Sequence, residues 1–188
     1  MKYIALLRGI NISGKNKIAM SDLKKEFTNL GYKEVITYLN TGNVVFESEI
    51  DDKNLIKNNI QSMIKDKFDF NIPTYVITSQ ELEELISYSP KWWGNDNKEI
   101  YDNIIFIIPP TTYNEVFNEI GFPNEYEKIQ EYKNSIFWSF DLKNYRKSNW
   151  WNKTASTNIS DKITIRTANT MKKVLEICKK INRNYCLK

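Results

Sequence analysis

The chain has 188 residues, 41% of them apolar, a net charge of +4 and no histidine, with cysteines only at Cys178 and Cys186. That length supports a real core without disulfide staples, and the missing histidines exclude Cys/His zinc or haem sites and Ser-His or Cys-His nucleophiles. Any acid or base working near neutral pH must be a shifted carboxyl, amine, phenol or thiol, and a pI of about 8.8 gives only weak support for anionic partners.

Tyr3 to Leu7 is an apolar run closed by Arg8-Gly9, as expected of a central strand. It is too short for a signal sequence, and no run reaches the length of a membrane span, so a cytoplasmic location is the expectation. After a polar loop, Met20, Leu23, Phe27 and Leu30 form a helical stripe, with Ser21 as the expected cap and Gly31 as the stop. Val35 to Leu39 and Val44 to Glu47 are strands around Asn40-Thr41-Gly42-Asn43, a hairpin turn in which Gly42 and Asn43 accept positive φ. A second helix from Asp52 to Phe68 carries Ile56, Ile60, Ile64 and Phe68, and Ile72 to Ile77 is a strand that Pro73 confines to an edge. Strand, helix, strand, strand, helix, strand is the ferredoxin-like βαββαβ order.

Thr78 and Glu81 predict a capping box opening a helix to about Ser89, followed by an irregular connection through Trp92-Trp93. Ile104 to Ile108 is a strand, and Thr112 with Glu115 caps a helix ending at Gly121. Glu127 to Tyr132 and Ser135 to Phe140 form a hairpin around Lys133-Asn134, followed by a weaker helix from Leu142 to Trp151 and a strand from Lys162 to Thr167. A final helix buries Met171, Val174, Leu175, Cys178 and Ile181. The expected fold is therefore α+β, with two ferredoxin-like βαββαβ subdomains plus a C-terminal helix. The corresponding division is 1–78, a linking helix and connection over 79–100, and 101–188.

The loop Arg8 to Lys17 holds two glycines, three cations and two amides between the first strand and first helix. Gly9 to Lys15 fits the spacing of a phosphate loop, but Asn16 replaces the magnesium-binding hydroxyl and the helical stripe starts too late. An ordinary solvated loop is the competing reading. The βαββαβ topology places this loop beside the Asn40–Asn43 turn, so Arg8, Asn11, Lys15, Lys17, Asn40 and Asn43 would line one cationic rim. Near the C-terminus, Arg166 and the first amides of the last helix, around Asn169, are a second place for an anion, although Asn169 or Thr170 acting as a helix cap is the simpler account. Trp92-Trp93 and Trp150-Trp151 suit base or sugar stacking, or equally a core. Neither an aromatic RNA-recognition strand nor a GXXG clamp is present.

Tyr3-Ile4-Ala5-Leu6-Leu7-Arg8-Gly9-Ile10-Asn11, Gly14-Lys15-Asn16-Lys17, Met20, Leu30-Gly31-Tyr32 and Thr37 to Phe46 together resemble the bacterial domain of unknown function family 1697. A Thr-x-Arg-Asn-Trp-Asn-Thr segment in that family stands here as Thr164 to Thr170, with Thr167 and Ala168 in place of Asn and Trp. If that Trp contacts a ligand in relatives, the contact is altered here, or Trp150 or Trp151 fills the space. The resemblance implies an α+β cytoplasmic protein and supplies no substrate, cofactor or catalytic residue.

The favoured expectation is binding of a phosphorylated small molecule or other anion by Arg8, Asn11, Lys15, Lys17, Asn40, Asn43, Arg166 and Asn169. The alternatives are an enzyme with an inter-subdomain cleft, using Arg8 or Arg166 and an unassigned carboxylate, and a nucleic-acid or protein-interaction module. Asp22 is the carboxylate nearest the loop in sequence and fits better as support for the helix start. No metal site and no membrane association are expected, and composition leaves cofactor and oligomeric state open.

Overall fold

The computed structural model describes the backbone of residues 1–185 and side chains through residue 180; Cys186 and the Ile181 side chain lie outside the described residues. The first strand, β1 (Lys2–Leu7), is buried along its whole length, as an uninterrupted apolar run requires. It lies between β3 (Asn43–Glu47) and β4 (Thr74–Thr78), and β2 (Lys33–Tyr38) closes the other side, giving the antiparallel order β2-β3-β1-β4. Pro73, just before β4, needs no ladder partner for its missing N–H at that edge.

One face of this sheet, carrying Tyr3, Ala5, Leu7, Val44 and Phe46, packs with Leu23 and Phe27 of α1 (Met20–Asn29) and Ile56, Ile60 and Ile64 of α2 (Lys53–Phe68). Ile4, Leu6, Val45 and Ile77, on the other face, are buried too. Lys2 shares that face, and its ammonium donates to the Cys178 carbonyl at 3.1 Å. Asp52 caps α2 by accepting from the Asn54 and Leu55 amides. Ser21 does not cap α1: the helix begins at Met20, its N-cap is Ala19, and no side chain caps it.

The helix α3 (Ser79–Ser87) opens on the expected box, with the Glu81 carboxylate accepting from Thr78 N–H at 2.9 Å and the Thr78 hydroxyl from Glu81 N–H at 3.1 Å. A second sheet follows in the order β6-β7-β5-β8, the same arrangement as the first. Its strands are β5 (Ile100–Ile107), β6 (Glu127–Tyr132), β7 (Ser135–Asp141) and β8 (Ile163–Thr167). Its helices are α4 (Tyr113–Ile120) and the short α5 (Asn149–Thr154), and α6 (Ala168–Tyr185) is the last described element. Ile105, Ile107, Ile136 and Trp138 pack with Val116, Ile120 and Trp150 on one face of the second sheet. Leu142 to Trp151 is not one helix, because Asp141 and Ser148 each start a new turn: a 3₁₀ turn spans Tyr145–Lys147, and α5 begins where Ser148 accepts from Trp151 N–H.

Two compact units result, Met1–Glu83 with the chain from Lys173 onward, and Glu84–Lys172. The boundaries at 78 and 100 read from the sequence differ from these, and the part of α6 that buries Val174 and Cys178 belongs with the first unit. Among the described residues no helix is long and apolar enough to cross a membrane.

Candidate functional site

The Arg8–Lys17 loop is an ordered miniature hairpin. Ser13 and Gly14 both have positive φ (50° and 77°), Lys15 N–H donates to Ile12 O at 2.9 Å, and Asn11 N–H donates to Asn16 O at 3.2 Å. Two consecutive left-handed residues are the signature of a primed two-residue turn, and glycine at the second removes the Cβ conflict there. This is why the glycine spacing does not make a phosphate loop: Lys15 sits in a β-turn, and α1 starts only at Met20.

Asn11 joins this hairpin to the β2–β3 turn. Its side-chain amide donates to Asn40 O at 3.0 Å and to Ile18 O at 2.9 Å, while its side-chain oxygen accepts from Ile18 N–H at 2.9 Å. Leu7 N–H to Gly42 O (2.8 Å) and Arg8 N–H to Pro73 O (2.9 Å) complete the seam. At Gly42 a Cβ would stand 2.7 Å from the Leu7 Cβ, so close approach and a φ of +78° both require glycine. The turn's other left-handed residue is Leu39 (φ 56°) rather than Asn43, which is already in β3.

The expected rim residues are unequally placed. Lys15, Lys17 and Asn40 are exposed, Arg8 and Asn11 half-buried, and Asn43 fully buried with its amide donating to Tyr38 O and the Thr41 hydroxyl. Among the described residues, neither Lys15 nor Lys17 makes an ion pair. Arg166 is buried in the other unit, donating to the Thr164 hydroxyl at 2.9 Å and Ile165 O at 2.8 Å. Asn169 is exposed on the first turn of α6, beside a groove of about 520 Å³ that Lys98, Tyr101, Asp102 and Leu142 also line. The cap there is Thr167, whose hydroxyl accepts from Thr170 N–H, rather than Asn169 or Thr170. Asp22, exposed in the first turn of α1, approaches no rim residue through a hydrogen bond or ion pair among the described residues.

Trp93 and Trp150 are core residues, donating through their indole N–H to Asn103 O and Gly121 O. Trp150 therefore stands at α4's end, away from the groove that Ala168 lines. Two buried carboxylates escaped the sequence reading. Asp102 accepts from Gly94 N–H at 2.8 Å and from the Ser139 hydroxyl. Glu127 accepts from Trp138 Nε1 (3.1 Å), the Ser148 hydroxyl and the Asn149 and Trp150 amides. Their only sequence signal was an acid at an inward strand position. Both are satisfied anchors, and among the described residues no three His, Cys, Asp or Glu side chains gather as a metal site.

A family model described as "Protein of unknown function (DUF1697)" matches residues 1–137. No curated protein matches the chain. Among solved structures the chain is similar to a conserved bacterial protein from Streptococcus pneumoniae, at 28% identity and a TM-score of 0.82, covering 94% of this chain and 97% of that one.

Proposed function

The chain belongs to the DUF1697 family of proteins of unknown function, and we propose that it binds a phosphorylated small molecule, or an anion of like chemistry, at the Arg8–Lys17 loop and the Asn40–Asn43 turn. The observation that carries this reading is the Asn11 clamp, whose bonds to Asn40 O and Ile18 hold loop and turn together before any ligand arrives. Ordered cations lose less conformational freedom on binding than a floppy loop would. Lys15 and Lys17 have no internal carboxylate to compete for them among the described residues, so an incoming phosphate displaces only water. Asn43 and Arg166, both buried, hold the turn and the β8 backbone in this reading and do not contact the anion.

A cytoplasmic location belongs to the same proposal. It is supported by Cys178, a buried free thiol whose burial pushes its pKa up to about 11, the state of a cysteine kept as a small core residue.

Thermal-shift and calorimetric titration with inorganic phosphate, pyrophosphate and a panel of phosphorylated metabolites tests the reading. A charge-assisted hydrogen bond contributes about 1.5–3 kcal/mol, so Lys15→Ala and Lys17→Ala should each weaken a bound phosphate by about tenfold or more at unchanged melting temperature. Binding that survives the Lys15→Ala/Lys17→Ala double variant would refute the site. Oligonucleotide binding that falls steeply with salt would transfer it to a nucleic acid.

A further inference from the structure

Ile12 and Leu39, each 52% exposed, are the apolar side chains that the first unit's loop-bearing end presents to water. Ile12 follows Asn11 in the miniature hairpin and Leu39 precedes Asn40 in the β2–β3 turn, so the 3.0 Å bond from Asn11 to Asn40 O joins the segments that carry them. Neither belongs to the core cluster of that unit. Ile12 pairs across its hairpin with Lys15, and opposed residues of an antiparallel pair put their side chains on the same face. An aliphatic group and an ammonium thus share one side of the loop. Leu39 is held at a φ of 56°, where asparagine or glycine would sit with less strain, yet the turn keeps an exposed leucine beside the polar Asn40 and Thr41.

The charges around this pair have one prevailing sign. The two loops contain no carboxylate: Arg8 to Lys17 carries three cations, and Tyr38 to Asn43 carries no charge. Two nearby acids are neutralised, Asp69 by Lys65 at 2.6 Å and Glu176 by Lys173, whose ammonium is within electrostatic reach of Tyr38. The other two, Asp22 on α1 and Asp66 on α2, are exposed and outnumbered by Lys24, Lys25 and Lys67 on the same helices. Lys15 and Lys17 therefore set the field at the tips.

Shape and chemistry together select the occupant. The apolar groups ride on two turns, a small area beside the roughly 800 Å² per partner of a stable protein interface. Nucleic-acid bases stack on aromatic faces, which Ile12 and Leu39 do not offer. An anionic lipid surface suits both features, because single aliphatic side chains can enter the headgroup boundary while the lysines beside them stay among the phosphates.

We propose that the Arg8–Lys17 loop and the β2–β3 turn dock the protein on an anionic phospholipid surface, with Ile12 and Leu39 inserted between headgroups and Lys15 and Lys17 on their phosphates. The proposal rests on the anion reading of the same loops and names a membrane lipid as the source of the phosphate. No single stretch of sequence displays it, because the two aliphatic residues lie on separate loops that meet only in the fold.

Co-sedimentation of the full chain with vesicles tests it, using equimolar phosphatidylglycerol and phosphatidylcholine against phosphatidylcholine alone. The wild type should bind the anionic vesicles, less so as salt rises, and should not bind phosphatidylcholine. Lys15→Ala and Lys17→Ala should each weaken binding about fivefold. The double variant Ile12→Ser/Leu39→Asn keeps both lysines and relieves the left-handed leucine. It should bind anionic vesicles about tenfold less tightly or worse, yet bind inorganic phosphate as the wild type does, at an unchanged or higher melting temperature. The proposal is overturned if the wild type does not sediment with anionic vesicles, if Ile12→Ser/Leu39→Asn sediments as well as wild type, or if phosphatidylcholine alone is bound equally. It is also overturned if a leucine–glutamate peptide binds more tightly than the vesicles, since the occupant is then an acidic protein. Phosphate binding without vesicle binding would remove this proposal and leave the small-molecule reading standing, whereas vesicle binding without phosphate binding would remove the small molecule and keep the lipid.

Discussion

Asn11 carries more of the first unit's loop-bearing end than any cation there. With φ at 54° it occupies the left-handed region that asparagine tolerates better than most residues, and from there its amide reaches two carbonyls and one N–H. Replacing it with alanine abandons those groups in partly buried surroundings and leaves a strained φ, at a cost of about 1–3 kcal/mol. Asn11→Gly relieves the φ and still loses the bonds. Urea unfolding should therefore rank wild type above Asn11→Gly, and Asn11→Gly level with or above Asn11→Ala. Equal midpoints for all three would mean that the clamp contributes nothing. The sequence shows a polar asparagine in a cationic loop, which reads as a ligand contact. Its role as a clamp depends on Asn40, 29 positions away, and no local pattern encodes that pairing. Leu39 illustrates the same limit: glycine and asparagine mark where a chain can turn left-handed, but the turn here also takes a leucine because β2 and β3 fix both its ends.

Secondary-structure elements were most readable where their determinants are local. The Thr78/Glu81 and Thr112/Glu115 boxes, the Lys133-Asn134 turn and the Gly31 stop all lie where residue type alone puts them. The α1 start and the Leu142–Trp151 stretch differ from the pattern in the residues: α1 begins at Met20 behind an N-cap, Ala19, that makes no side-chain bond, and the turns at Asp141 and Ser148 split the later stretch into separate short helices. The first box also has a pH consequence. Burial raises the Glu81 carboxyl, but the Lys53 ammonium and the Thr78 N–H and hydroxyl outweigh it and hold the group below its ordinary value. A carboxyl depressed in the folded state contributes stability that is complete above its unfolded pKa and is lost as pH falls through the folded one. Stability should thus decline on acidification from about pH 5 downward, with a shallower slope in Glu81→Gln. Identical pH profiles for the two proteins would assign the acid sensitivity to other carboxylates.

At the scale of the whole molecule, the order of the strands was readable because βαββαβ connections leave few ways to pair four strands, and both sheets took the same one. Which unit owns the last helix was not, because a C-terminal amphipathic stripe says that a face is buried and not against what. Within the first unit, Val174 and Cys178 are buried, the buried Lys2 ammonium donates to Cys178 O, and Lys179 pairs with Glu83 at 2.6 Å. The sheet face bearing Ile4, Leu6, Val45 and Ile77 therefore shares its unit with a segment almost a whole chain away in sequence. Ending the chain after Lys172 removes the buried Val174, a side chain of the kind whose burial contributes about 1.5–3 kcal/mol, together with the smaller buried Cys178, and leaves the Lys2 ammonium without an acceptor it uses now. The truncated protein should unfold at clearly lower urea concentration than the full chain and should bind a hydrophobic dye that the full chain does not. Losing the ion pair alone, in Lys179→Ala, should shift the midpoint little, because exposed pairs contribute about 0–1 kcal/mol. A truncation that unfolds where the full chain does would show that the first sheet holds together without α6.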